Sequence, residues 1–321
     1  MKGTHKIVVS NTAVKYEFEV RRNITVIKGD SATGKTTLVE MISEFYESGE
    51  NSGISISCDK ECRSVAGRDW KLLINNIKDS IIFIDEDNEF LPTIEFADTV
   101  KNSDNYYVIV SREGLQNLPY SVEEIYGIKS SGKYSGLKQE YHELYHIYGS
   151  FDPKNDIKPE VVIVEDSNSG FDFFKNVSEG KDFIVVSASG KSNIFKEITK
   201  YKDKKLLIIA DGAAFGSEID RIMKLIKKDD NIALFLPESF EWLILSSGII
   251  KNNINLDVLD TPSDYIESSD FFSWERFFTH YLIEITKGTY LKYNKKQINP
   301  VYLHDNNKKS VLNIMKKIKM E

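Results

Sequence analysis

Hydrophobic and polar positions change rhythm several times along this chain, and each rhythm predicts an element. Lys6-Ile7-Val8-Val9 and the clean alternation of Val14-Lys15-Tyr16-Glu17-Phe18-Glu19-Val20 read as two strands joined by a turn at Asn11-Thr12. Asn23-Ile24-Thr25-Val26-Ile27-Lys28 is a β-branched strand, and Thr37-Leu38-Val39-Glu40-Met41-Ile42 opens a helix. A strand at 54–57 and helices at about 69–77 and 93–101 follow. Between those helices runs Ser80-Ile81-Ile82-Phe83-Ile84, unbroken in its apolar character, as in a strand buried on both faces of a parallel sheet. Tyr106-Tyr107-Val108-Ile109-Val110 is a further strand, 121–128 an expected edge strand, and about 137–148 an expected helix with an aromatic stripe.

Residues 149–159 carry two prolines and no periodicity, which marks a linker. Beyond them the pattern restarts as four β/α units. Strands are expected at 161–164, 183–186, 206–209 and 232–236, each followed by a helix, and residues 268–321 read as mainly helical. Alternation of this kind predicts parallel sheets flanked by helices. The expected fold class is α/β, with two three-layer domains and a helical C-terminal tail. The boundaries are 1–148, a linker at 149–159, 160–260, and a basic segment at 261–321.

Between the third strand and the first helix lies Gly29-Asp30-Ser31-Ala32-Thr33-Gly34-Lys35-Thr36, a complete G-x-x-x-x-G-K-[ST] sequence. In such a loop the glycines let backbone N–H groups converge on a phosphate. Lys35 reaches the β- and γ-phosphates, and the Thr36 hydroxyl ligates Mg²⁺. Thr37 continues the helix N-terminus, whose dipole favours the anion. The apolar strand ending at Ile84 runs into Asp85-Glu86-Asp87. Ligands of open α/β sheets sit at the carboxyl ends of strands. Asp85 is therefore expected on Mg²⁺, and Glu86 as the base that polarises an attacking water. Ser111 and Arg112 end the next strand. Ser111 suits a γ-phosphate sensor; Arg112 suits either a γ-phosphate contact or an ordinary surface position. The cofactors so implied are ATP and Mg²⁺, and the lack of the guanine-specifying N-K-x-D motif favours ATP over GTP.

The second half places acids at its strand ends: Glu165-Asp166 after the first, and Asp211 after the third in Ala210-Asp211-Gly212-Ala213-Ala214-Phe215-Gly216. This resembles a Toprim domain, the metal-binding module of topoisomerases, primases and OLD-family nucleases. That family carries a Glu after its first strand and D-x-D-x-x-G after its third. Here Asp211 and Gly216 match, and Ala213 replaces the middle Asp. The Ser189-Gly190-Lys191-Ser192-Asn193 turn is similar to OLD-type Toprim domains, and Glu238 and Glu241 stand near the later acidic motif. The resemblance implies a divalent metal on Glu165 and Asp211, with Asp166, Glu218 and Glu241 as further candidate ligands. A P-loop ATPase joined to a Toprim-like module resembles the OLD architecture. However, no LSGGQ-type signature precedes Asp85, and the short first half is more similar to a compact AAA- or RecA-like ATPase. The resemblance implies mobile-element or phage-defence biology.

Composition narrows the picture. The chain has 321 residues, 41% hydrophobic and 28% charged, an ordinary globular balance. No apolar run reaches the ~18 residues of a membrane span, and no long apolar stretch follows Met1-Lys2-Gly3-Thr4-His5-Lys6, so neither a membrane partner nor a signal peptide is expected. Cys58 and Cys62 alone are a poor zinc or disulfide framework and read as reduced thiols of a cytoplasmic protein. The net charge of −7 conceals nine lysines against two acids after residue 286. Such a tail can meet nucleic-acid phosphates, remain a solvated face, or dock on the acidic body. His142-Glu143-Leu144-Tyr145-His146 matches the zinc motif H-E-x-x-H. It lacks a third ligand at a diagnostic spacing and is expected to be a packed helix.

Together these features predict a Mg²⁺-dependent ATPase whose nucleotide state controls a Toprim-like output module. ATP is the expected ligand, and nucleic acid or a protein partner the expected target. Two other functions fit the same residues: a non-hydrolysing nucleotide switch, and an ATP-regulated metal nuclease.

Overall fold

The computed structural model describes residues 1–29, 33–131, 139–149 and 156–320. They fall into two compact units. Unit 1 comprises Met1–Gly149 with Thr261–Ser273, and unit 2 comprises Ser150–Asp260 with Trp274–Glu321. The expected C-terminal segment 261–321 is thus divided between the two.

Unit 1 is a mixed α/β structure. Its strands are β1 (His5–Ser10), β2 (Val14–Val20), β3 (Ile24–Ile27), β4 (Ser55–Ser57), β5 (Glu61–Ser64), β6 (Ser80–Ile84), β7 (Tyr106–Val110), β8 (Ile125–Ser130) and β9 (Glu140–His146). Its helices are α1 (Lys35–Ser48), α2 (Trp70–Asn76) and α3 (Ile94–Lys101). The nine strands form one sheet in the order β4-β1-β2-β9-β8-β3-β7-β6-β5. From β8 to β5 every neighbouring pair is parallel. β1 is antiparallel to β2 and β4, and β9 is antiparallel to β8. The sheet is therefore mixed, and the N-terminal ribbon belongs to it.

Side-chain burial accounts for these elements. All five residues of β6 and of β7 are buried, as strands covered on both faces require. α1 turns Leu38, Val39, Met41 and Ile42 into a core shared with Ile27, Ile81, Phe83 and Val108. α3 begins where the Thr93 side chain accepts the Phe96 N–H, a capping bond. The Thr261–Ser273 stretch is tied to the start of the chain: the Met1 ammonium bonds Glu267, and the Gly3 N–H donates to Ser263 O at 2.7 Å.

Two expectations for this unit fail, and one strand was not expected. The helix expected at 137–148 is a strand over its described part, since β9 lies between β2 and β8. Tyr141, Leu144 and Tyr145 have helical spacing, but the open edges of two neighbouring strands outweigh that local preference. The edge strand expected at 121–128 is the interior strand β8, preceded by a 3₁₀ turn at Val122–Glu124. β5 had no apolar signal, because only Cys62 of its four residues is buried.

Unit 2 has the strands β10 (Val161–Val164), β11 (Ile184–Ser187), β12 (Leu206–Ile209) and β13 (Ile232–Phe235) in one parallel sheet ordered β11-β10-β12-β13. α4 (Ser169–Val177), α5 (Ile194–Lys200), α6 (Ile219–Ile226) and α7 (Phe240–Ser246) follow the strands in turn. The remaining helices are α8 (Asp257–Asp260), α9 (Trp274–Thr286) and α10 (Asp305–Leu312). Phe173 and Phe174 of α4 pack on Phe240 of α7. No helix among the described residues is long and apolar enough to cross a membrane.

Candidate functional site

β3, β7 and β6 lie side by side and parallel, with Ile27 paired to Val110 and Ile84 to Ile109. Their carboxyl ends therefore emerge on one edge of the sheet. Neighbouring strands are ~4.8 Å apart, so the glycine loop after β3, Ser111-Arg112 after β7 and Asp85-Glu86 after β6 share a single rim.

The loop begins at Gly29, whose φ of 146° lies in the range glycine favours. Asp30, Ser31 and Ala32 lie outside the described residues. Lys35, the first residue of α1, folds its ammonium back onto the loop, donating to Gly29 O at 2.8 Å and Thr33 Oγ1 at 3.2 Å. Only 5% of Lys35 is exposed. Gly34 sits at φ 87°, ψ 9° as the helix N-cap. Its carbonyl accepts the Leu38 N–H at 3.1 Å and the Tyr16 hydroxyl at 2.8 Å. His142 stacks on Tyr16, with ring centroids 4.8 Å apart. Strands β2 and β9 thus brace the loop from outside, a contribution that no local motif signals. Thr36 and Thr37 are exposed on the first turn of α1.

Asp85 is half-buried, and its carboxylate accepts the Glu86 N–H at 2.8 Å. Arg112 meets both oxygens of Glu86, its Nε at 2.9 and 3.0 Å and a terminal nitrogen at 2.6 Å. Glu86, its hydrogen bonds ahead of its charge, raises the Arg112 pKa. Ser111 is buried, and its hydroxyl donates to Glu113 O at 2.8 Å. Glu86, Ser111 and Arg112, with Leu91 and Leu115, line a depression of about 370 Å³. An exposed hydroxyl (Thr36) and a half-buried carboxylate (Asp85) on one rim suit Mg²⁺, which takes one or two protein oxygens and completes its shell with water and phosphate.

His142 and His146 lie four residues apart on β9, about 13 Å along an extended strand, and cannot share a metal. His146 packs on Tyr126 with centroids 4.5 Å apart.

Unit 2 gathers acids at the carboxyl edge of its own sheet. β10 and β12 are neighbours, with Val164 paired to Ile209, so Glu165 and Asp211 stand side by side and the Asp211 N–H donates to Glu165 Oε2 at 3.2 Å. The Phe171 N–H donates to Asp166 Oδ1 at 3.2 Å. Glu241, on α7, is 2% exposed and accepts the Tyr293 hydroxyl at 2.8 Å. Lys295 donates to Glu275 Oε1 at 2.6 Å and lies 3.9 Å from Glu241 Oε1. Gly212 leaves no space for a side chain, because a Cβ would meet Leu236 O at 2.9 Å.

Burial dominates the titration of these groups. It pushes Glu165 up to about 7, with Glu275 and Asp166 acting the same way against the Asp211 N–H and Lys191. Burial, then Glu275, Glu165 and Glu241, raises Asp211 well above its ordinary value, and burial raises Asp166. Burial opposes the charge on Lys295, but Glu241 and Glu275 more than compensate and raise its pKa. Ala213, at the family's middle Asp position, is buried, and Glu218 is buried on the same loop. Among the described residues, no group of three or more His, Cys, Asp or Glu is placed to hold a metal ion.

Glu275, Tyr293 and Lys295 were not identified from the sequence. They enter from the far C-terminal stretch, with no motif around them. Other lysines of that stretch are also engaged: Lys308 with Asp305 and Asn176, and Lys319 with Asp156.

No family model matches the chain, and no curated protein matches it.

Proposed function

We propose that unit 1 binds Mg·ATP and hydrolyses it, and that nucleotide state governs what unit 2 does. The observation that carries this reading is the convergence on one rim of a glycine-bounded loop, a buried lysine folded over it, and a carboxylate pair from the strand two places away. The strand between them ends in Ser111 and Arg112, a position between loop and acids that supports a sensor role for them. This order supports an AAA- or RecA-like ATPase.

Lys35 holds the β- and γ-phosphate oxygens, and Thr36 and Asp85 hold Mg²⁺. Bound there, Mg²⁺ would supply positive charge against the phosphate oxygens. Glu86 accepts a proton from water as that water's oxygen bonds the γ-phosphorus. The bond from that phosphorus to the bridging oxygen breaks, leaving ADP and phosphate. Arg112 leaves Glu86 for the γ-phosphate as the site fills, which frees the base and adds positive charge at the reacting group. A second reading, a switch that binds ATP without turnover, draws support from the same Glu86–Arg112 pairing, since a paired carboxylate is a poor base.

Phosphate release from ATP by wild type, Lys35→Ala and Glu86→Gln tests the proposal. Turnover lost in both variants, with ATP still bound by Glu86→Gln, supports it. Binding without turnover in wild type selects the switch. No binding in wild type overturns both.

A further inference from the structure

The resemblance of unit 2 to Toprim domains calls for a divalent metal on Glu165 and Asp211, and the side chains gathered there do not fit one. Two features conflict with it. First, the space is wrong. The cavity bordered by Glu165, Asp166 and Asp211 measures about 20 Å³ and is also lined by Phe174, Phe240 and Leu243. That is room for about one water, whereas Mg²⁺ keeps several waters in a near-octahedral shell.

Second, the cluster already contains a cation. Lys295 Nζ lies 2.6 Å from Glu275 and 3.9 Å from Glu241. It is not a loose surface side chain that has wandered in. The Lys295 carbonyl accepts the Ser169 N–H at 3.0 Å. Two residues earlier, the Tyr293 hydroxyl donates to Glu241 at 2.8 Å and bonds Ser169 Oγ. The Tyr293 N–H is fixed by Thr286 Oγ1 at 3.0 Å. Backbone and side-chain bonds therefore deliver this ammonium to one place.

We infer that Lys295 is the resident cation of the unit 2 acid cluster, carried in by the C-terminal stretch 274–295, and that it excludes divalent metal from Glu165 and Asp211. Unit 2 in this arrangement is consequently not a two-carboxylate metal nuclease, whatever unit 1 does with nucleotide. The C-terminal stretch is the element that would have to withdraw before a metal could enter.

Mn²⁺ titration followed by electron paramagnetic resonance tests this on the full chain. Asp85→Asn is the background, which removes the acid expected on metal in unit 1. The background protein should show no Mn²⁺ site that Asp211→Asn abolishes. Adding Lys295→Met should create about one equivalent of bound Mn²⁺ that Asp211→Asn removes. Lys295→Arg, which keeps the charge, should exclude the ion as the native lysine does. An Asp211-dependent Mn²⁺ site in the chain with Lys295 intact overturns the inference whether or not Lys295→Met folds. A folded Lys295→Met chain that gains no site overturns the exclusion role of Lys295.

Discussion

Arg112 holds both carboxylate oxygens of Glu86 at 2.9 and 3.0 Å from its Nε, so the base proposed for hydrolysis is engaged by the residue proposed to meet the γ-phosphate. The Arg112 side chain is 62% exposed and that of Glu86 16%. An ion pair this open to water is released at little cost. Arg112→Ala should therefore lower ATP turnover, because losing charge at the transferring group outweighs freeing the base. The expected fall in kcat is at least about tenfold, below the roughly 10³–10⁵ that a fully engaged arginine finger supplies in phosphoryl transfer, with KM little changed. A rise in kcat would show that Arg112 is only a latch.

Gly34 is held between two constraints, its φ of 87° and the Tyr16 hydroxyl, which would lie 2.7 Å from an added Cβ. Gly34→Ala should weaken nucleotide binding by roughly tenfold or more, since both the turn and the strand β2 must shift to admit the methyl. Burial, with Glu140 nearby, pushes Tyr16 up to about 12, so its hydroxyl remains a donor to Gly34 O. Tyr16→Phe loses only that bond, worth about 0.5–1.5 kcal/mol, and should weaken binding only a few-fold. Titration with a fluorescent ATP analogue distinguishes these outcomes, and unchanged affinity in Gly34→Ala would sink the phosphate-loop reading.

What the sequence disclosed was local. The glycine loop, the apolar run before Asp85 and each of the four β/α repeats of unit 2 are written in fewer than about two dozen consecutive residues, where sterics and periodicity act directly. What it concealed was non-local. β9 has helical spacing at Tyr141, Leu144 and Tyr145 and is a strand only because β2 and β8 offer it hydrogen bonds. Tyr16 looks like one more inward position of an alternating strand, and nothing near it announces Gly34. Lys295 sits in an unremarkable Asn-Lys-Lys run, and its partners Glu241 and Glu275 are 54 and 20 residues away. A lysine that neutralises a distant acid cluster leaves no periodic trace.

Glu165 gives unit 2 a specific dependence on pH. Its folded-state value of about 7 lies above its ordinary 4.5. Between those values the folded chain keeps a proton that the unfolded chain has released, so stability falls as pH rises through this window. Glu165→Gln stays neutral and can still accept the Asp211 N–H. Its urea midpoint should decline less between pH 5 and pH 8, leaving it more stable than wild type at pH 8 by up to about 3 kcal/mol. Asp166 and Asp211 are raised in the same direction and keep part of the slope. Parallel pH profiles for the two proteins would show that Glu165 is ionised in the fold at neutral pH.

Unit 1 has its own buried charge, and here the pairing is structural. Glu124 is fully buried just before β8 and accepts Arg21 Nε at 2.9 Å, Arg22 Nε at 3.2 Å and the Tyr126 hydroxyl at 3.2 Å. Both arginines lie in the turn between β2 and β3, so this carboxylate ties that turn to β8. Burial works against the charge on Arg21, and Glu124 more than offsets it, leaving the Arg21 pKa raised. Removing one member of a buried pair costs about 3–5 kcal/mol, because the opposite charge remains desolvated. Glu124→Ala should therefore destabilise unit 1 by about that much. Glu124→Gln, which keeps an acceptor and the side-chain volume, should cost only about 1–3 kcal/mol. Urea unfolding of the two variants decides the matter. If Glu124→Ala is no worse than Glu124→Gln, the acceptor and volume that Gln keeps contribute nothing, and if Glu124→Gln is as stable as wild type, the arginines gain nothing from the buried charge.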